Sequence, residues 1–399
     1  FFEKLTLILI LFPYVKIGID FGTDVQPLYL ISAFILLLLV ILEKRKIEIY
    51  NVFLFVLLVI MIINTFFLFM FSDTSEKDAF GYFRSLYKYL AFLIIFLIYK
   101  FIDKELKPTF LVFATVAYFI VSNMQMIFRK PLVGFLVSTA RYVPNRNLAI
   151  GLTPEPSFLA KFSLSAILLS DYLLAKDTMN RKTYMLIFLM NVEMILISLS
   201  LSGIFLLVAY ITIRLLLYLV VRIRPIAFFR FVLISLLLLT ILLIAQPYIH
   251  SFFMLGRLGT FYRYVISGNA FAFFREDVSF QERVYAIDET FRSLLNHPFG
   301  NASPQLIGGF MSLIYENGIY GVLFVAYYIY SFLRLLPHLR YEKEQVVCFL
   351  VTMYLIVPIL IFVDTLCVSY FIVLINILFY NSSKMVKQYE DKYSKSSDG

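Results

Sequence analysis

The sequence predicts an all-α fold, a polytopic integral membrane helical bundle of about 12 transmembrane helices. Three observations predict it. The 399-residue chain is 61% hydrophobic with a mean hydropathy of +0.86, and only 15% of it is charged, against about 25% in a soluble domain. Apolar runs of about 16–22 residues recur, the length a helix needs to cross roughly 30 Å of hydrocarbon. Lysine and arginine gather at regular intervals between those runs. The composition excludes the two or three soluble domains that length alone suggests. The net charge of +9 is no nucleic-acid signal, because basic loops are usual in this class.

The candidate spans run over 3–19, 27–42, 50–71, 84–101, 108–128, 157–175, 183–201, 203–221, 226–246, 305–334, 345–363 and 366–381. The first is short and contains Pro13 and Lys16. It lacks a small-residue cleavage site and leads straight into further runs, so a span is expected rather than a cleaved leader. The runs 183–201 and 203–221 have almost no loop between them and read as a tight hairpin. The run from 305 exceeds what a straight span needs, so a re-entrant or tilted half-helix is expected before a span proper near Gly318. Residues 1–381 thus read as a single transmembrane domain and 382–399 as a solvated cytoplasmic tail. Cys348 and Cys367 fall inside apolar runs, where free cysteine behaves as a small hydrophobe.

Orientation follows from the positive charges. With the N-terminus inside, the inner loops hold Lys44 to Lys46, then Lys100, Lys104 and Lys107, then Lys176, Arg181 and Lys182. Arg222, Arg224 and Arg230 follow, then Arg334, Arg340 and Lys343, and a lysine-rich tail from Lys384. Each even-numbered span ends on such a cluster, so both termini are expected in the cytoplasm. The outer face keeps three polar segments, 72–82, 129–156 and 247–304, the last of them partly helical. Their basic residues are mostly arginine: Arg84, Arg129, Arg141, Arg146, Arg257, Arg263, Arg275, Arg283 and Arg292. The planar fork of arginine suits bidentate contact with phosphate or carboxylate. Headgroup contact and snorkelling explain any single one equally well.

Within the outer segments, Glu155 stands between Pro154 and Pro156 at the mouth of a span. Pro156 fits a first helical turn, and a carboxylate sits favourably at a helix N-terminus. Two roles stay open for Glu155, helix capping and acid/base or hydroxyl contact at the membrane surface. Val284, Ile287, Phe291 and Leu294 recur at helical spacing. They predict an amphipathic helix from Gln281 to Asn296, stopped by His297, Pro298 and Gly300. Asp288 and Arg292 form an i,i+4 pair worth about 0.3 kcal/mol. Glu316 is a site candidate because an ionisable group is costly in a span, with a headgroup-level carboxylate as the alternative. Lys161 lies one turn inside the outer mouth. Glu193 and Arg214 lie on the two arms of the hairpin, where a pairing between them stays open. The sequence has no metal-ligand cluster, phosphate-binding glycine loop or nucleotide fold, so neither a metal nor a cytoplasmic sugar-nucleotide donor is expected.

These pieces resemble the oligosaccharide repeat-unit polymerases of bacterial surface polysaccharide, the Wzy family, which is related to the O-antigen ligases. The matching residues are Pro154 to Ser157, the serine-rich turn Ser198 to Gly203, the outer helix from Arg283 to Gly300, and Tyr315 to Gly321. The resemblance covers most of the chain through loose motifs in matching order. It implies a membrane glycosyltransferase similar to GT-C-type enzymes, acting at the outer, periplasmic face of the bacterial plasma membrane without cofactor, metal or nucleotide. The implied donor is a glycan on undecaprenyl pyrophosphate, and the acceptor is a hydroxyl of another lipid-linked repeat unit. Membrane lipids, a flippase and chain-length regulators are the implied partners, and nucleic acid is not. On this reading arginines stabilise the leaving pyrophosphate, first Arg283, Arg141 and Arg146, then Arg292 and Arg257, with Lys161 facing the same site. Glu155, His297 and Glu316, in that order, are expected to serve the acceptor hydroxyl. The catalytic cavity is expected between segments 129–156 and 247–304.

The related ligases carry a histidine shortly before the Glu-x-Gly element, where this chain has Ile307 to Phe310. That favours a polymerase over a ligase. A ligase-type transferase and a transporter or flippase of lipid-linked oligosaccharide are the alternatives. The two halves show no repeat of the kind transporters carry. A membrane acyltransferase would want a histidine buried in the bundle, whereas His338 falls on the cytoplasmic side.

Overall fold

The computed structural model describes residues 1–16, 25–71, 79–128, 134, 136–137, 149–221, 256–301, 309–339, 342–362 and 369–397. The described elements are all helices. They are α1 (Phe2–Leu11), α2 (Leu28–Leu42), α3 (Val52–Phe71), α4 (Ala79–Glu105), α5 (Pro108–Phe128), α6 (Pro156–Ala175), α7 (Arg181–Ser198) and α8 (Leu201–Val221). There follow α9 (Gly256–Ile266), α10 (Ala270–Glu276), α11 (Val278–Asn296), α12 (Gly309–Asn317), α13 (Ile319–Leu339), α14 (Glu344–Phe362) and α15 (Ser369–Ser397).

Local chemistry sets the boundaries. α5 and α6 open on Pro108 and Pro156, in the turn where a missing N–H costs nothing. Asn180 and Asp277 cap α7 and α11, accepting the amides of Thr183 and Phe280 at 2.8 Å each. α7 ends where Leu199 turns left-handed, at φ +48, and α8 starts at Leu201, so the expected hairpin is present. The long apolar run from 305 does break, at Gly318 with φ +54.

Five described helices are long and apolar enough to cross a membrane: Val52–Phe71, Ser85–Glu105, Pro108–Phe128, Pro156–Ala175 and Ile319–Leu339. Leu28–Leu42, Leu201–Leu217 and Glu344–Leu360 are shorter apolar helices. The expected span 3–19 is not formed as one helix. α1 stops at Leu11 after 10 residues, because the turn at Pro13 and Tyr14 interrupts it. At 1.5 Å per residue it covers about half of the hydrocarbon thickness. The expected span 226–246 lies outside the described residues. The supposed tail from 382 also differs, since α15 continues through it and buries Ser382, Met385 and Val386. Its buried face simply extends at helical spacing.

α6 and α15 form the centre. Phe158 to Leu173 are all buried in α6, and so is Tyr370 to Phe379 in α15. α6 packs on α5, α7, α8, α14 and α15, and α15 on α1, α4, α13 and α14. α6 is 89% buried over its apolar window but α3 and α13 only 28%, which makes α3 and α13 the lipid-facing periphery.

The loops predicted to lie inside are tied together at one end of the bundle. Arg45 pairs with Glu3 at 2.8 Å, Lys176 with Asp103 at 2.9 Å, Lys343 with Asp177 at 3.0 Å, and Lys100 with Glu48. The Lys100 hydrogen bond lowers the Glu48 carboxyl from its ordinary value. α6 runs from Lys176 at this end to Glu155 at the other.

The predicted amphipathic helix is α11, but its apolar stripe is not its most buried face. Of the predicted stripe, Val284 and Phe291 are exposed and Ile287 and Leu294 only half-buried, whereas Thr290 and Ser293 are buried, on a helix that packs against α12. Small side chains permit the close approach to α12, and a helix at a membrane surface can turn its large apolar residues to lipid.

Candidate functional site

Two polar clusters lie toward the end of the bundle away from the lysine-rich loops. The first surrounds the mouth of α6. Glu155 is its N-cap residue in extended conformation, yet its carboxylate does not cap the first-turn amides; Ser157 Oγ donates to it instead. A simple capping role therefore does not describe Glu155. The preceding turn is held from α5. Gln125 Oε1 accepts the amides of Ile150 at 3.1 Å and Gly151 at 2.8 Å, and its Nε2 donates to the Gly151 carbonyl at 3.1 Å. The Thr153 hydroxyl donates to the carbonyls of Ile150 at 2.6 Å and Glu155 at 2.9 Å. The serine-rich turn docks on the same mouth. The Ala149 amide donates to the Ile197 carbonyl at 3.2 Å, and a Cβ on Gly203 would stand 2.3 Å from that of Ala160. Lys161 follows Ala160 and is buried, its ammonium 5.0 Å from the centre of the Phe158 ring.

The second cluster joins two of the sequence motifs. α11 ends at His297, and the turn that follows locks into the break between α12 and α13. The Asn301 amide donates to the Tyr315 carbonyl at 2.9 Å, Asn301 Nδ2 to the Tyr315 hydroxyl at 2.9 Å, and the Ile319 amide to the Pro298 carbonyl at 2.8 Å. From α3, Asn64 Nδ2 donates to the Phe299 carbonyl at 2.8 Å and to Asn317 Oδ1 at 3.2 Å. Gly300 and Gly318 permit this fit, since a Cβ on either would stand 2.1 Å from the Glu316 carbonyl and 2.0 Å from that of Pro298 respectively. His297 itself is exposed at the rim.

Glu316 is placed differently from its expected role. Its carboxylate accepts Lys88 Nζ at 2.7 Å on Oε1 and 2.6 Å on Oε2, and the Tyr89 hydroxyl at 2.7 Å. The two charged side chains are 6% and 10% exposed. Glu316 is thus the anion of a buried ion pair rather than a base open to an acceptor hydroxyl.

The remaining candidates divide by placement. Arg292 is exposed on α11 and makes the expected pair with Asp288 at 2.9 Å. Arg257 and Arg283 stand on α9 and α11, with side chains outside the described set. Arg141 and Arg146 lie outside the described residues, as does the wall they would add to the expected cavity. α14 packs on both α6 and α12 and so relates the two clusters. A cleft that is described lies between α3 and α4, lined by Thr65, Phe66, Phe69, Tyr82, Phe83 and Leu86. Among the described residues no group of three His, Cys, Asp or Glu side chains gathers as a metal site.

The open pairing of Glu193 with Arg214 is not made. Arg214 Nη2 lies 3.3 Å from Asp171 Oδ1, and Tyr210 donates to Asp171 Oδ2 at 2.8 Å. Glu193 accepts Asn123 Nδ2 at 3.3 Å instead. Sequence reasoning thus missed Lys88, Tyr89, Asn64, Gln125 and Asp171. The available signal was an ionisable residue within an apolar run. Lys88 and Asp171 carry it, but both fall within about two turns of a run's end, where they read as interfacial.

Compared with known proteins, the chain matches no family model and no curated protein.

Proposed function

We propose that the chain is a membrane glycosyltransferase that polymerises undecaprenyl-pyrophosphate-linked oligosaccharide repeat units at the outer face of a bacterial plasma membrane. The observation that carries this reading is the interlock of the His297–Asn301 turn with the Tyr315–Gly318 break. Two motifs of the Wzy-like pattern, separated in the sequence, form one unit at the end of the bundle opposite the lysine-rich loops. The segregation of the basic loops supports placing this end of the bundle at the outer face. In this reading the outer arginines Arg283, Arg141, Arg146, Arg292 and Arg257, with Lys161, neutralise the leaving pyrophosphate. Glu155 and His297 orient the acceptor hydroxyl or take its proton. Flippase and chain-length regulator proteins are the implied partners.

A transporter of lipid-linked oligosaccharide is the second reading, favoured by the buried ion pair Lys88–Glu316 and the half-buried pair Asp171–Arg214, since intramembrane charges often mark a transport path. One experiment separates them. The purified full chain is given a synthetic lipid-linked repeat unit, and the products are sized by gel. A ladder of elongated glycans is expected, and Glu155→Gln and Arg283→Ala slow it about 10²-fold or more. Movement of the lipid across a vesicle without elongation selects the transporter.

A further inference from the structure

We infer that Lys88 and Glu316 are a positioning pair, whose buried ion pair ties α12 to α4 through side chains alone and so holds the His297–Asn301 turn in place. Two neighbouring residues of α4 converge on one carboxylate, Lys88 on both oxygens and Tyr89 on Oε2. Lys88 also reaches Ser312 Oγ, about one turn back on α12, at 3.4 Å. Burying a lysine and a glutamate costs hydration that their attraction only roughly returns, so packed apolar side chains would join α4 to α12 about as firmly. The ion pair adds direction. α12 can neither rotate nor slide by a turn without stranding a charge inside the bundle.

That direction reaches the turn through the same residues. Tyr315 holds Asn301 through its carbonyl and hydroxyl, and Asn317 accepts Asn64, which in turn holds the Phe299 carbonyl. Glu316 places its side chain in the ion pair and its carbonyl against Gly300, where a Cβ would come within 2.1 Å. No free space separates the two, so a shift of α12 displaces the turn.

Ser293 reports on this seam. It is buried on α11, and Asn301 Nδ2 reaches its hydroxyl at 3.5 Å. The test uses the full chain in nanodiscs, with Cys348 and Cys367 replaced by alanine and Ser293→Cys introduced. Reaction with a water-soluble maleimide measures accessibility. The parent is expected to be protected and Lys88→Met to react at least about tenfold faster, with Tyr89→Phe between them. The double variant Lys88→Met/Glu316→Leu strands no charge, so it should regain the parent melting temperature yet remain reactive. A double variant as protected as the parent overturns the positioning role and leaves only an adhesive one. Full protection in Tyr89→Phe and Glu316→Gln overturns it equally, and these two decide the matter should Lys88→Met fail to accumulate.

The inference rests on the proposed transfer reaction only in its second arm, where elongation by the double variant is expected to fall at least about tenfold. A reactive Ser293→Cys with undiminished elongation supports the positioning pair and removes the turn from the reaction. The two failures are therefore distinguishable.

Discussion

At Gly300 the backbone holds φ at +109, and a Cβ would meet the Glu316 carbonyl at 2.1 Å. Gly268 has a comparable φ of +73 but open space around it. Gly300→Ala should therefore cost about 3 kcal/mol, from strain and displaced backbone together, and Gly268→Ala about 1 kcal/mol from strain alone. Melting temperatures of the purified variants check both, and equal losses would refute the interlock. A glycine beside Pro298 marks a turn in the sequence, but not which carbonyl crowds it. His297 was legible as the end of a helix. Glu316 was legible as a costly charge, while its partner Lys88 was not, because Lys88 and Glu316 lie on elements far apart in the chain.

Elements show a similar division. The break at Gly318 and the helix α11 were both readable, one from excess length and the other from a 3.6-residue period. The faces of α11 were not, because periodicity identifies the apolar stripe without saying whether protein or lipid covers it. Helix pairing is harder still. The hairpin of α7 and α8 suggested Glu193 and Arg214 as partners, yet α7 packs mainly on α6, and Arg214 meets Asp171 of α6. Removing one partner of that pair strands the other. Arg214→Leu is expected to destabilise by about 3–5 kcal/mol, and Asp171→Leu/Arg214→Leu to recover most of it. Thermal unfolding of both variants provides the measurement, and a double variant no better than the single would deny the pairing.

For the molecule as a whole, sidedness is the property most open to direct measurement. The lysine-rich loops meet at one end through Arg45–Glu3, Lys176–Asp103 and Lys343–Asp177. The basic clusters predict that end to be cytoplasmic. On intact cells, in a background with Cys348 and Cys367 replaced by alanine, Arg292→Cys is expected to react with a membrane-impermeant maleimide and Lys343→Cys only after permeabilisation. The reverse pattern would invert the topology and remove Arg292 from an outer site. The sequence by itself determined the helical membrane class, the segregation of positive loops, the break near Gly318 and the end of α11 at His297, because these depend on composition, period and local backbone chemistry. Only the tertiary structure decided that α6 and α15 are central, that Asp171 takes Arg214, and that Lys88 and Tyr89 engage Glu316 beside the His297–Asn301 turn. Those outcomes depend on which helices become neighbours, a choice that close packing makes for the whole bundle at once.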